Sequence, residues 1–281
     1  MKSWVLHGGL NERMTKQLQQ RVTSVYGPVN SWRFGRSLGI DLICETSTCS
    51  FNCIYCQLGD IQVVTNERRL FVPTAQIIRD LDNVSWSEVD IITFSGSGEP
   101  TLATNLGEVA RHLKRYGKPL MVLTNSTHFH NPEVRRDLAE LDIVDAKLDA
   151  ASDEMLQRYN RPAPGHTIRS IIEGIQLLRK EFRGRLSLQI MIMPINAHEA
   201  EKLAALINEI HPDEVQLNTP RRPYPAEWHL ETRGTHKTPE ELPFPSARLK
   251  TISKEEAQKL ETLLRKRCHV PIRSVYKSKP S

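Results

Sequence analysis

The stretch GIDLICETSTCSFNCIYCQLGD, residues 39–60, carries the reading that decides the fold. Residues 39–44 form an apolar run of the kind that makes a short buried strand. The chain then enters a loop that holds four of its five cysteines, Cys44, Cys49, Cys53 and Cys56. A strand that ends directly in a ligand-bearing loop is the working unit of α/β sheets, whose C-terminal strand ends gather on one face.

Working outward, apolar runs recur at 89–94, 119–124, 142–148, 186–192 and 213–218. Helical patterns fall between them: from Thr74, as N-cap, to about Leu81, then near 104–115 and 131–140, then through HTIRSIIEGIQLLRKEF, and near 197–210. Ile168, Ile171, Ile172, Ile175 and Leu178 keep one apolar helical face. Strands alternating with helices imply a parallel sheet with right-handed crossovers. Runs apolar throughout suit strands covered on both sides. The expected architecture is α/β, a partial (β/α)6 TIM-like barrel over residues 37–220. Residues 1–36 precede it as a helix (11–25) and a lead-in loop rich in Gly, Ser and Arg. Within the barrel, IQVVTNERRLFV (61–72) suggests a hairpin. Residues 221–281 follow as a C-terminal extension: an irregular segment, six prolines falling within 220–250, then a helix over 253–267 and a short strand over 270–276.

The chain has 281 residues and 39% apolar content, enough for a sizeable core. It contains no run of 18 apolar residues, and its opening lacks the long apolar stretch of a signal peptide, so no membrane partner and a cytoplasmic location are expected. An odd cysteine count, mostly clustered, points away from a secreted disulfide framework and toward metal. The net charge of +5 is uneven: residues 221–281 hold 14 Lys+Arg against 7 Asp+Glu. Such an excess is either an electrostatic footprint for an anionic partner such as RNA or a solvated surface that favours solubility.

Every strand ends in polar, Gly or Pro chemistry: the cysteines, SGSGEP (95–100), NST (125–127), DAKLDA (145–150), MPIN (193–196) and NTPRRP (218–223). In a barrel these segments converge on one candidate site. Three thiolates at C-x3-C-x2-C (Cys49, Cys53, Cys56) suit a [4Fe–4S] cluster and leave one iron open to a ligand. A zinc knuckle and a set of free thiols are the alternatives; zinc would want a fourth ligand, and no histidine lies in the loop.

The cysteine spacing, with Tyr55 before the last cysteine, resembles the signature of the radical S-adenosylmethionine (radical SAM) superfamily, and the strand pattern over 37–220 is similar to its partial barrel. The resemblance implies two cofactors, the [4Fe–4S] cluster and S-adenosylmethionine. The reduced cluster would cleave the sulfonium and give a 5′-deoxyadenosyl radical that takes hydrogen from a substrate. SGSGEP is similar to the family's Gly-Gly-Glu motif, which implies that Gly96, Gly98 and Glu99 line the methionine end of the cofactor. Asn125 and Ser126 match the region that meets ribose and carboxylate, and Tyr55 the aromatic beside adenine. Glycines let the backbone approach a ligand closely, and Glu99 can accept from an ammonium. YGPVNSWRFGRSLGID and CIYCQLG look like the branch that includes the wyosine-base synthases of archaeal transfer RNA. That branch implies a tRNA nucleoside as substrate and a reductant such as flavodoxin or ferredoxin. The wyosine enzymes carry a second cluster on three further upstream cysteines; here only Cys44 lies upstream, which puts pyruvate condensation in doubt. A radical activase or modifier of a protein or small metabolite is the other enzymatic reading, and an iron–sulfur electron carrier the non-enzymatic one.

Lys147 and Asp149 alternate with apolar neighbours and so share one side of the fourth strand, where they are candidate catalytic residues. Lys147 would clamp a carboxylate or form a Schiff base, or the two would simply pair with each other or with Glu99. Gln189, Asn218 and Arg221 are candidate substrate contacts, and PRRPYPAEW (220–228) a segment that stacks bases or closes the barrel. His128 and His130 are candidate acid–base groups, or unspecialised loop residues; Cys44 and Cys268 read as structural.

Overall fold

A computed structural model describes residues 22–234 and 237–276. Twelve strands are present among them: β1 (Val25–Ser31), β2 (Gly35–Ile40), β3 (Thr48–Cys49), β4 (Val63–Val64), β5 (Ile91–Phe94), β6 (Leu120–Thr124), β7 (Ile143–Lys147), β8 (Arg185–Met191), β9 (Glu214–Asn218), β10 (Tyr224–Pro225), β11 (Ser246–Ala247) and β12 (Ile272–Ser274). The principal helices are α1 (Thr74–Asp80), α2 (Leu106–Leu113), α3 (Pro132–Leu138), α4 (Ile168–Glu181), α5 (Ala200–Ile210) and α6 (Lys254–Arg267). One eight-stranded sheet, ordered β1-β2-β5-β6-β7-β8-β9-β12, curls into a half-barrel. From β2 to β12 its neighbours are parallel, while β1 runs antiparallel to β2 at the edge.

Six parallel strands are therefore present, the first over Gly35–Ile40 and not over 39–44 as expected, and the sheet continues past them on both sides. The apolar core lies between the sheet and its helices. Leu106, Val109, Ala110 and Leu113 of α2 are buried at helical spacing, as are Ile168, Ile171, Ile172, Ile175 and Leu178 of α4. These helices stand on faces built from residues such as Val144, Ala146, Leu186 and Leu188. In β7, β8 and β9 the alternate positions face the barrel interior and are polar. Registered across β7, β8 and β9 they form two rows, Asp145–Ser187–Glu214 and Lys147–Gln189–Gln216. Along β7 to β9, burial of both faces is thus achieved with apolar residues outward and polar residues inward, among them Asp145 ion-paired to Arg33 and Lys147 bonded to Gln189.

Four expectations need correction. The lead-in loop is a β-hairpin: Val25 opens β1, and Val25↔Ile40 through Ser31↔Gly35 pair across it. Gly, Pro, Asn and Ser give this segment little strand propensity, but an edge strand tolerates them once its partner exists. Its tip turns Arg33 into the barrel floor, where Nη1 lies 3.2 Å from Gln216 Oε1 and 3.3 Å from Asp145 Oδ2. The expected helix over 11–25 lies outside the described residues up to position 21, and Val22–Val25 are not helical. IQVVTNERRLFV is no hairpin either: β4 pairs in parallel with β3, Thr48↔Val63 and Cys49↔Val64, so the chain loops back along the cysteine strand. Finally, Pro73 and not Thr74 occupies the N-cap of α1, and the Thr74 hydroxyl instead accepts from Asn105 Nδ2 at 3.0 Å.

Candidate active site

The cysteine loop leaves the end of β2 and is at once bound to the loop that ends β5. Thr48 donates its N–H to Ser97 O at 2.9 Å and accepts from Glu99 N at 3.0 Å. A Cβ on Gly98 would stand 1.7 Å from Thr48 O, so only glycine lets the two backbones meet. Gly96 is held against Asp41, whose Cγ a Cβ there would approach to 2.3 Å. Cys49 therefore lies one residue from direct contact with SGSGEP, and the two motifs form one surface.

The three thiols are half-buried and each is served by N–H donors. Cys49 Sγ accepts from Phe51 N at 3.4 Å and from Asn125 Nδ2 at 3.5 Å; Cys53 Sγ accepts from Asn160 Nδ2 at 3.4 Å. The Leu58 backbone serves Cys56. Burial pushes all three thiols above their ordinary range, Cys56 to about 12, with Glu99 adding at Cys49 and Asp149 at Cys53. Such thiols hold their protons until a cation displaces them, and donors already aimed at sulfur stabilise the thiolates that result. That donor set fits an iron–sulfur cluster. Among the described residues no three His, Cys, Asp or Glu side chains converge as a ready ligand set for a single metal ion.

Glu99 is buried and heavily engaged. Oε1 accepts from Thr101 N at 3.0 Å, Thr101 Oγ1 at 2.7 Å and Thr124 Oγ1 at 2.6 Å, and Oε2 accepts from Asn125 N at 2.7 Å. It clamps the ends of β5 and β6 together. Burial raises its pKa while these four bonds lower it. Asn125 Oδ1 accepts from Thr127 N and Oγ1, at 3.1 and 2.7 Å, which turns its amide nitrogen toward Cys49 and Ser50. Ser126 sits at φ 71°, with its hydroxyl 3.5 Å from Lys147 O.

Opposite, the end of β7 supplies a second cluster of polar groups. Asp149 accepts from Tyr55 OH, from Asn160 Nδ2 at 2.9 Å and from Met191 N at 2.7 Å. Lys147 Nζ lies 2.9 Å from Gln189 Oε1, 3.9 Å from Asp149 Oδ2 and 5.2 Å from the Tyr55 ring centroid. Lys147, Asp149 and Asn160 line a pocket with Phe51, Leu156 and Ile168. Gln189 therefore reaches the site. Arg221 does not: it is exposed and donates to Val275 O at 3.3 Å. Asn218, half-buried at the end of β9, spends its Oδ1 on Thr219 N at 2.9 Å. His130 bonds Ser170 O on α4, and His128 lies edge-on to His166; neither touches the pocket described here. Cys44 and Cys268 are buried, their thiols directed at the carbonyls of Thr23 and Ala204. The segment after β9 approaches the cysteine loop, where Arg222 Nη1 donates to Gln57 Oε1 and Pro225 O faces Gly59.

Sequence reading missed three residues. Asp41 Oδ1 accepts from Ile43 N and Cys44 N, both at 3.0 Å, and Oδ2 from Ser97 N at 3.1 Å and Oγ at 2.6 Å. Arg233, far along the extension, donates to the same Oδ2 at 2.9 Å. Asn160 joins Cys53 to Asp149. Asp41 had a signal, as the one charged residue in an apolar strand run; Arg233 and Asn160 had none.

Residues 44–207 match the Radical SAM superfamily. The UPF0026 protein slr1464 of Synechocystis sp. is 45% identical over 252 residues, 89% of this chain and 95% of its own. Among solved structures, TYW1 with a lysine-pyruvate adduct bound superposes with a TM-score of 0.61 at 15% identity, covering 94% of this chain and 91% of that one. SuiB of Streptococcus suis bound to S-adenosylmethionine superposes with a TM-score of 0.55 at 11% identity over 84% of this chain; the chain spans 50% of the length of SuiB. At those identities both structures show the shared fold.

Proposed function

The chain belongs to the radical SAM superfamily of enzymes, and on that premise we propose that Cys49, Cys53 and Cys56 hold a [4Fe–4S] cluster beside an S-adenosylmethionine site. That site is formed by Gly96, Gly98, Glu99, Asn125, Ser126 and Tyr55. When bound, the pair supplies a one-electron reductive cleavage of the sulfonium and a carbon radical able to abstract hydrogen. The observation that carries the reading is the double hydrogen bond between Thr48 and the Ser97–Glu99 backbone. It holds the first proposed cluster ligand against the glycine loop, which supports adjacent seats for the two cofactors on one junction.

This chain's own residues then do four things. The thiols, protonated in their desolvated loop, release protons as iron binds. The Gly96–Gly98 backbone offers a close approach unobstructed by side chains. Glu99, its Oε1 saturated by three donors, keeps one oxygen with a single partner and so retains acceptor capacity toward an ammonium. Lys147, hydrogen-bonded to Gln189 and near Asp149, presents an ammonium to whatever fills the pocket. Phe51, Leu156 and Ile168 give the pocket an apolar lining.

Anaerobic reconstitution followed by dithionite and S-adenosylmethionine should yield 5′-deoxyadenosine in the wild type and none above background in Cys53→Ala. Equal, negligible product in both would overturn the assignment. For the substrate we favour a nucleoside of transfer RNA, supported by the positive excess of residues 221–281, including the exposed Arg265, Lys266 and Arg267. Salt-dependent retention of transfer RNA should follow, with a one-electron donor of flavodoxin or ferredoxin type as reductant. No retention at low salt would direct the search to a protein or small-metabolite substrate.

A further inference from the structure

Two buried carboxamides face the cysteines from different sides of the barrel. Asn125 comes from the end of β6 and Asn160 from a π-helical segment, Leu156–Asn160. Their orientations are fixed by their other partners. Asn125 Oδ1 takes two donors from Thr127, which leaves Nδ2 for Ser50 Oγ at 2.8 Å and Cys49 Sγ at 3.5 Å. Asn160 stands 2.9 Å from a carboxylate oxygen of Asp149; two acceptors would repel there, so its nitrogen faces Asp149 and, at 3.4 Å, Cys53 Sγ. Both residues are at most 6% exposed, so neither amide is swinging in solvent.

We propose that Asn125 and Asn160 are positioning residues that set the reduction potential of the cluster through N–H···S hydrogen bonds, and that Asn160 ties that potential to the Lys147–Asp149 pocket. The inference rests on the cluster assignment made above. Adding an electron to a cluster raises negative charge on its sulfurs, and a fixed donor stabilises that charge, so each such bond favours the reduced form. Asn160 shares its nitrogen between Cys53 and Asp149, whose same oxygen Oδ2 also takes Tyr55 OH and lies near Lys147. A ligand that draws Lys147 away leaves Asp149 more negative and holds the Asn160 nitrogen more tightly on the carboxylate side. The donor to Cys53 weakens, and the potential falls. A chemically silent asparagine thereby links pocket occupancy to the electron-accepting centre.

The test uses the anaerobically reconstituted full chain and a dithionite-poised redox titration followed by electron paramagnetic resonance. Asn160→Leu keeps the shape and removes the donor; Asn160→Ala removes the donor with most of the side chain. Both should retain iron and sulfide while reduction becomes about tenfold less favourable, a shift of 59 mV toward negative potential for a one-electron couple. Midpoints equal to wild type in both variants would overturn the proposal. If either variant loses its cluster, the wild type labelled with 15N-asparagine decides: pulsed resonance of the reduced cluster should show side-chain nitrogen couplings from asparagine, and their absence refutes the proposal. A wild-type protein that takes up no cluster at all refutes the functional reading itself, and this inference with it.

Discussion

At Gly98 a single missing methyl group holds the site together, because Thr48 O occupies the place a Cβ would take, 1.7 Å away. Gly98→Ala must therefore part the cysteine strand from the glycine loop. Binding of S-adenosylmethionine to the reconstituted protein should weaken by about tenfold or more, roughly 1.4 kcal/mol, in equilibrium dialysis. Unchanged binding would show that the junction does not position the ligand. His128 offers a pH signature on the outer wall. Burial, aided by His166 and Arg68, depresses its pKa from 6.5 to about 4, and its Nε2 has no partner. The folded state thus binds fewer protons there than the unfolded chain. Its stabilising contribution is complete above about pH 6.5 and is lost as pH falls toward 4, on the order of 2 kcal/mol. Asp145, raised by burial to about 6 despite Arg33, works in the opposite sense and gains stability as pH drops through 6. The difference between wild type and His128→Gln in urea midpoints at pH 7 and pH 4.5 isolates the histidine. Wild type should lose more stability on acidification than the variant.

Among the elements, α6 shows how a polar sequence is made to pack. Its Ser253 hydroxyl accepts from Glu256 N at 3.2 Å, and Glu256 returns a bond to Ser253 N at 3.1 Å, a reciprocal cap. Ala257, Leu260 and Leu264 are then buried at helical spacing. Arg265 donates to Ile272 O, and so the helix anchors β12 at the end of the sheet. Ser253→Ala should cost about 1 kcal/mol in a urea titration, without altering iron uptake by the remote cysteine loop. A loss of cluster binding in this variant would mean that β12 supports the site more directly than its distance suggests. The β1–β2 hairpin is the converse case. It carries weak strand formers, and its place comes from Arg33 closing the barrel floor against Asp145 and Gln216.

On the scale of the molecule, a buried ion pair helps fasten the extension to the catalytic face. Arg233 Nη1 and Asp41 Oδ2 lie 2.9 Å apart with side chains 5% and 1% exposed, and Arg233 also lies over the Tyr26 ring. Removing one partner strands the other charge in a desolvated place, at roughly 3–5 kcal/mol. Arg233→Met and Asp41→Asn should each destabilise strongly, Asp41→Asn the more, since Asp41 also orders Ser97 and Cys44. The double variant should cost less than the two single changes added together, as a double-mutant cycle in urea would show. Additive losses would remove the pair as a fastening.

The half-barrel was legible in the chain because the strand positions that face the helices are apolar and recur between helical segments, and because each run stops where polar loop chemistry begins. The cysteine triad was legible for a different reason: three ligands for one cofactor must come from a single short loop, so their spacing survives in the linear order. Asp41, Asn160 and Arg233 are another matter. They act on partners 56, 107 and 192 positions away, through Ser97, Cys53 and Asp41 respectively. No local periodicity records a contact of that span. Asparagine and arginine are ordinary loop residues until a fold buries them beside a thiol or a carboxylate. The linear order determined which segments become strands and which loop can take a cluster. Only the folded chain decided which polar groups are desolvated together, and desolvation is what turns a common hydrogen bond into one that positions a site.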